Sequence, residues 1–423
     1  MVVVWSTRRA VAARLGPVVV LGFAAALALV GWVYLAAGHG WFWRAEPGPP
    51  AGVDPAVWPE VAAVVPARNE ATLLPETLPS LLGQEYAGRF RVVVVDDGSE
   101  DGTAAAAERL GRGAAAELCV VRAGERPAGW AGKVWAMAQG VRAAGEPEFL
   151  LFTDADIAYA PGTLIRLVRA ATGAHHDADH DAGYDLVSLL ATLRTRTAWE
   201  RAIVPAFVYF FALLYPFRRV RRPGARTAAA AGGCMFVRAA TLAGAGGLAA
   251  IGGALIDDVA LGRLIKGHGG RCRLDLSRDV VSRRPYPRLA DLWTMIARSA
   301  YTQLRYSPPL LAGTVLGLVL LFGVPPVAAV AGIIGLVIGH PAPAAAAMGA
   351  AIGLGTWAIM AVTYAPTLRF NRLSVLRASA LPLVALAYAA MTLDSARRYH
   401  SGLGGAWKGR TLAARDAARD ANQ

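Results

Sequence analysis

Two carboxylates, Asp154 and Asp156, follow the apolar run Phe149-Leu150-Leu151-Phe152 in the block Thr153-Asp154-Ala155-Asp156. Open α/β sheets bind ligands outside the carboxyl ends of their strands. Mg²⁺ or Mn²⁺ at such an edge shares one or two carboxylates with a substrate's phosphates. A helix amino-terminal cap ahead of Pro161-Gly162 is the alternative use of the pair, and the strand-edge position favours metal ligation. A second pair, Asp96-Asp97, closes the run Val92–Val95, and a third, Asp257-Asp258, lies about a hundred residues beyond Asp154. Lys133, one of very few lysines, stands between them behind Gly132 at a helix start, where an ammonium can neutralise phosphate. Three acidic pairs and this lysine suggest a site for a nucleotide-diphosphate donor.

Such groups need a scaffold that brings strand ends together. Strand-like runs (Val61–Pro66, Arg91–Val95, Leu118–Val121, Phe149–Thr153, Leu186–Ala191) alternate with helix-like ones (Ala71–Leu82, Thr103–Leu110, Lys133–Ala144, Gly162–Ala171). That rhythm predicts an α/β domain with a mostly parallel sheet and helices on both faces. The run His175 to Asp181 interrupts it. Without the regular spacing of defined metal sites, it reads as a solvated polar loop.

With 55% hydrophobic and 17% charged residues and a mean hydropathy of +0.40, the chain is too apolar for an ordinary soluble enzyme, so part of it belongs in lipid. The +13 net charge is carried mostly by arginines flanking apolar segments: Arg8, Arg9 and Arg14; Arg218, Arg219, Arg221 and Arg222; Arg369, Arg372 and Arg377. No basic stripe interleaved with aromatics is present, so anionic headgroups, not nucleic acid, are the expected partner. Cys119, Cys234 and Cys272 are odd in number and unclustered, which points to neither a disulfide framework nor a zinc site.

Leu15–Gly38 carries no charge and is long enough to span a bilayer. A cleaved signal peptide is the rival, but Trp32 and Tyr34 at its far end favour an uncleaved anchor. The expected order is an anchor over 1–45, a Pro-rich linker over 46–60, a soluble domain over 61–308, transmembrane helices over 309–395 and a basic tail over 396–423. Ile203–Phe217 is too short to span and reads as interfacial, as does Leu289–Tyr306. Three segments follow: Leu310–Gly339, interrupted at Pro325-Pro326; Ala342–Tyr364; and Ala378–Leu393, short enough to be re-entrant.

Four blocks stand in order: Pro66-Ala67-Arg68-Asn69-Glu70, Asp96-Asp97-Gly98-Ser99, Gly132-Lys133 within Gly129–Lys133, and Asp154-Ala155-Asp156. Together they resemble the Pro-x-x-Asn-Glu, Asp-Asp-Gly-Ser, Gly-Lys-x-x-Ala and Asp-x-Asp motifs of the family 2 glycosyltransferases. The resemblance covers Val61 to Tyr306. It implies a GT-A fold, a Mg²⁺ or Mn²⁺ ion at Asp154 and Asp156, a nucleobase contact at Asp97, and donor contacts at Arg68, Glu70 and Lys133. Asp257-Asp258 is similar to the family's acidic pair at a helix start. By that match Asp258 is the base that takes the acceptor's proton, supported by Asp257; helix-dipole compensation is the alternative. Gly232-Gly233-Cys234 resembles the small-residue loop lining the acceptor side.

Gln303 and Arg305 resemble the Gln-x-x-Arg-Trp block with shortened spacing and with Tyr306 in place of Trp, a departure that argues against a processive synthase. Ala406–Arg410 is like a tail motif of isoprenoid-lipid glycosyltransferases. Pro127–Lys133 and Ala297–Tyr306, with one anchor before the domain and several segments after it, resemble the hopene-associated glycosyltransferases of bacterial hopanoid clusters. The resemblance implies a nucleotide-sugar donor and a membrane lipid acceptor, a hopanoid or else a carotenoid, ceramide or polyprenyl phosphate. A non-catalytic membrane scaffold is the reading from another class. Nucleotide sugars are cytoplasmic, so the domain is expected on the cytoplasmic face of a bacterial inner membrane. Counting segments against the basic termini does not satisfy every charge preference.

Overall fold

Strands rich in Val, Leu and Phe assemble an eight-stranded sheet in the computed structural model, which describes residues 20–45, 48, 52–173, 183–339 and 342–402. The strands are β1 (Val61–Ala67), β2 (Phe90–Asp96), β3 (Glu117–Arg122), β4 (Phe149–Phe152), β5 (Ile157–Tyr159), β6 (Leu186–Thr192), β7 (Met235–Arg238) and β8 (Cys272–Ser282). Their order is β3-β2-β1-β4-β7-β6-β8-β5. The first four run parallel, β7 is antiparallel to both β4 and β6, β6 and β8 are parallel, and β5 returns antiparallel on β8. Continuous apolar runs such as Val61–Val65 and Val92–Val95 are buried throughout, as strands covered on both faces must be. The expected strands and helices lie within a few residues of their observed ends. β5, β7 and β8 were not anticipated, because three- and four-residue strands and the charged Arg273, Asp275 and Asp279 of β8 carry no clear apolar signal.

Contacts divide the chain into two units, one comprising Glu46–Thr197, Tyr215–Arg288 and Tyr399–Gln423, the other Met1–Ala45, Ala198–Leu214 and Leu289–Arg398. The sheet belongs to the first. The second contains four helices long and apolar enough to cross a membrane: Val20–Gly38, Pro308–Val337, Pro343–Phe370 and Val375–His400. The helices Ala198–Leu214 and Leu289–Ala297 group with these four. Arg8, Arg9 and Arg14, the His175–Asp181 run and Ala406–Arg410 lie outside the described residues.

Two expectations for the apolar third need correction. Pro325-Pro326 does not break its helix, and the final segment is a 26-residue helix, Val375–His400, longer than the expected Ala378–Leu393 and long enough to span. Pro325 has no N–H to give the carbonyl four residues earlier, Leu321. The helix widens into a π turn over Val319–Gly323, and the indole Nε1 of fully buried Trp32 donates to that Leu321 carbonyl at 2.7 Å. Trp32 also packs edge-on against Phe322, with ring centroids 5.1 Å apart. The amino-terminal helix is thereby part of a helical bundle as well as a candidate span.

The helices Pro308–Val337 and Pro343–Phe370 approach through glycines. A Cβ on Gly332 would lie 2.5 Å from the Ala346 carbonyl oxygen, and one on Gly353 would lie 2.6 Å from that of Pro325. Small residues allow such backbone contact between apolar helices. Gly353→Leu is expected to cost about 1–3 kcal/mol or more through overpacking. Thermal unfolding in detergent checks this, and a midpoint equal to wild type would contradict it.

Candidate active site

Asp154, Asp257 and Asp258 come together with Lys133. Lys133, in the first turn of the helix Gly132–Ala143, places Nζ 2.7 Å from Asp154 Oδ1 and 3.0 Å from Asp257 Oδ2. Asp154 follows β4, while Asp257 and Asp258 open the helix Asp257–Gly267. Asp258 Oδ2 accepts the Gly232 N–H at 3.0 Å, and its Oδ1 accepts that of Val259 at 2.7 Å. Gly232 closes the circle: a Cβ there would sit 3.0 Å from Lys133 Nζ, 3.6 Å from Asp258 Oδ2 and 3.7 Å from Asp154 Oδ2. A side chain would fill the space these groups share.

Electrostatics follow from this crowding. Burial and the adjacent Asp257 carboxylate push Asp258 up to about 6, against the pull of Lys133 and the two N–H donors. Burial alone would lower Lys133, but Asp154 and Asp257 outweigh it and raise it, so the ammonium stays charged.

Asp156 lies beside a cation that the sequence did not single out. Arg284, just after β8, reaches Glu70 Oε1 at 2.6 Å through NH2 and Asp156 Oδ2 at 3.1 Å through Nε. Ser282 Oγ donates to the same Asp156 oxygen at 2.8 Å. Burial, then the nearby Asp154 charge, raises Asp156, opposed by Arg284 and Ser282. Glu70 therefore holds Arg284. Nothing local marks Arg284 among the chain's many arginines; only the pairing of β8 brings it here.

The β1 and β2 ends form a second part of the same sheet edge. Arg68 NH1 donates to the Asp97 carbonyl at 2.8 Å and lies 3.8 Å from its carboxylate. Asn69 takes a left-handed conformation, φ 52°, that asparagine tolerates, and its backbone N–H donates to Ser99 Oγ. The Glu70 N–H donates to Thr103 Oγ1, and Asp96 Oδ1 accepts the Ser99 N–H, so the two loops are laced together. Gln303 and Arg305 belong to the other unit. Gln303 ends the helix Ala300–Gln303, and Arg305 lies in a turn with φ 53°.

Among the described residues, no three His, Cys, Asp or Glu side chains form a metal cage. Lys133 takes Asp154 Oδ1, and Ser282 and Arg284 take Asp156 Oδ2, which leaves one oxygen of each carboxylate for a ligand. Two hard oxygens at a sheet edge fit an Mg²⁺ or Mn²⁺ ion completed by phosphates and water.

The profile of Glycosyl transferase family 2 matches residues 62–240. An N-acetylglucosaminyltransferase of Rhizobium sp. (strain N33) is 52% identical over 44 residues, 10% of this chain and 10% of that protein, so the chain matches about a tenth of that relative's length. The undecaprenyl-phosphate 4-deoxy-4-formamido-L-arabinose transferase of Pseudomonas syringae pv. syringae (strain B728a) is 31% identical over 147 residues, 33% of this chain and 38% of that protein. A mannosyltransferase of Pyrobaculum calidifontis, solved with GDP-Man and Mn²⁺, aligns over 90% of this chain and 98% of its own, with a TM-score of 0.52 and 20% identity.

Proposed function

We propose that this chain, whose residues 62–240 match the Glycosyl transferase family 2 model and whose fold is GT-A, is an inverting transferase that moves a sugar from a nucleotide donor to the hydroxyl of a membrane lipid. The observation that carries this is the convergence of Lys133, Asp154, Asp257 and Asp258 around Gly232. Asp258 accepts the proton of the acceptor hydroxyl as that oxygen attacks the anomeric carbon. The bond from that carbon to the diphosphate breaks, the nucleoside diphosphate leaves with the electron pair, and attack opposite the leaving group inverts the centre. The Lys133 ammonium neutralises charge on the departing diphosphate. A divalent ion held by Asp154 and Asp156 with the diphosphate would add Lewis-acid stabilisation there. GDP-Man and Mn²⁺ in the Pyrobaculum mannosyltransferase support that assignment. Asp97 and Arg68 are the proposed nucleotide side of the site. Gln303 and Arg305 are retained as proposed donor contacts on the family resemblance alone.

The charge of the site supports a hydroxyl acceptor. A phosphate acceptor is already anionic, needs no base, and would be repelled by the Asp257-Asp258 pair. A carboxylate pushed up to about 6 is instead matched to a hydroxyl at neutral pH. Four candidate spans in the same chain support a lipid acceptor, and the cytoplasmic supply of nucleotide sugars is the reason for proposing the catalytic domain at the cytoplasmic face of an inner membrane. A hopanoid is the first lipid to test.

The test uses the full chain in nanodiscs with labelled UDP- and GDP-sugars, offered a hopanoid, a carotenoid, a ceramide and a polyprenyl phosphate in turn. Label is expected in a hydroxyl lipid. Label confined to polyprenyl phosphate would overturn the hydroxyl assignment, and no labelled lipid with any donor would overturn the lipid assignment. Because Asp258 works unprotonated, kcat/KM is expected to hold above about pH 6 and fall as pH drops through that value. The charged neighbours that set this limb are Asp257 and Lys133; Tyr215, which also faces Arg263, lies near the same carboxylate.

A further inference from the structure

Three buried hydroxyls from separate parts of the sheet converge on the turn Ala231–Cys234. Ser188 Oγ, in β6, accepts the Ala231 N–H at 2.8 Å and donates to the Cys234 carbonyl at 2.8 Å. The Cys234 N–H returns to the Ala231 carbonyl at 3.1 Å, closing the turn. Tyr159 OH, at the end of β5, and Thr153 Oγ1, just after β4, both donate to the Gly233 carbonyl, at 3.0 and 2.9 Å. All three side chains are 5% exposed or less. The floor of the turn is equally tight, since a Cβ on Gly233 would lie 3.1 Å from Ile157 Cδ1 and 3.3 Å from Ala191 Cβ.

We propose that Tyr159 is a positioning residue for the transfer reaction: with Thr153 and Ser188 it holds the Gly232-Gly233 turn so that the Gly232 N–H stays on Asp258 Oδ2. This deepens the reading of Asp258 as the base and rests on it. The physical case has two parts. A carbonyl that receives two buried hydroxyl donors is fixed in direction; its own peptide group carries the Cys234 N–H, which bonds the Ala231 carbonyl at 3.1 Å, and the peptide group of Ala231 carries the Gly232 N–H that meets Asp258. Burial raises the Tyr159 phenol well above its ordinary value, so it remains a donor throughout the working pH range. Displacement of the turn has a second consequence, because Gly232 stands between Lys133, Asp154 and Asp258 with no room to spare. Each hydroxyl, if merely filling a core position, would have to find some acceptor; convergence of three on one four-residue turn ties them to the base.

Tyr159→Phe removes the hydroxyl and keeps the ring. In nanodiscs, with whichever labelled nucleotide sugar the wild type uses, kcat is expected to fall about tenfold with donor KM within about twofold, the signature of a transition-state contribution. The acid limb is expected to move to higher pH, because the Gly232 N–H favours the ionised carboxylate and is now loosened. Calorimetric binding of UDP or GDP with Mn²⁺ should be unchanged. Thr153→Ser should retain the wild-type profile, and Thr153→Val should share the shift of Tyr159→Phe. That pair carries the same readout if Tyr159→Phe fails to accumulate. A profile superimposable on wild type with unchanged kcat, or a loss confined to nucleotide binding, would overturn the inference. Asp258→Asn separates the two readings. An active Asp258→Asn enzyme removes the base itself, whereas an inactive one with an unmoved Tyr159→Phe limb removes only the positioning role.

Discussion

Asp258→Asn is expected to reduce kcat by about 10²–10⁴, the usual contribution of a positioned general base, while UDP or GDP binding with Mn²⁺ stays near wild type. The amide is nearly isosteric with the carboxylate, and its oxygen can still accept one of the two backbone N–H groups, from Gly232 and Val259, that the Asp258 oxygens accept at 3.0 and 2.7 Å. Geometry is therefore largely preserved while the proton acceptor is lost. Removing one of two adjacent carboxylates also relieves the repulsion that raises Asp258, so no loss of stability is expected from charge. Single-turnover transfer and calorimetry on the same preparation check the two halves of this expectation. Wild-type turnover would remove the base from Asp258, and abolished nucleotide binding would make its role structural.

Lys133→Met is expected to lower kcat by about 10²–10³, the scale for removing one preorganised group that stabilises developing negative charge. A second effect separates this variant from Asp258→Asn. Lys133 pulls Asp258 downward, so without it the acid limb of kcat/KM moves to higher pH. Methionine keeps much of the stem's volume, which limits the change to the charge. Removing one partner of an ion pair leaves the other uncompensated, and here Asp154 and Asp257 both lose their ammonium. The Asp154 side chain is 37% exposed, so water screens part of that cost. Lys133→Arg should recover little, because a planar fork does not replace a compact ammonium between two carboxylates and a glycine. Steady-state kinetics across pH for the three forms checks both effects, and an unmoved limb in Lys133→Met would mean that the lysine does not act on the base.

The alternation of apolar runs with helical periods was enough to place the parallel half of the sheet, and with it Asp97 after β2 and Asp154 after β4. Those strands are buried on both faces, so their composition announces them wherever the chain is cut. Lys133 and the Asp257-Asp258 pair were visible as residue types at helix starts, and their family resemblance named their roles. Their meeting around Gly232 was not visible, since a separation of over a hundred residues carries no periodic signal.

Arg284 and the turn Ala231–Cys234 belong wholly to the tertiary structure. β5, β7 and β8 owe their strand character to partners distant in the chain, and it is their pairing that brings Arg284 to Asp156 and Tyr159 to Gly233. The apolar third shows the same division. Composition alone marks its helices as long enough for a membrane, but whether Pro325 ends one depended on Trp32, nearly three hundred residues away, donating to the carbonyl that proline leaves unpaired. Residue order determines which groups are available and which local shapes they favour. Which of those groups face one another is decided by long-range pairing, because a buried hydrogen bond or charge is satisfied by whatever the fold places beside it.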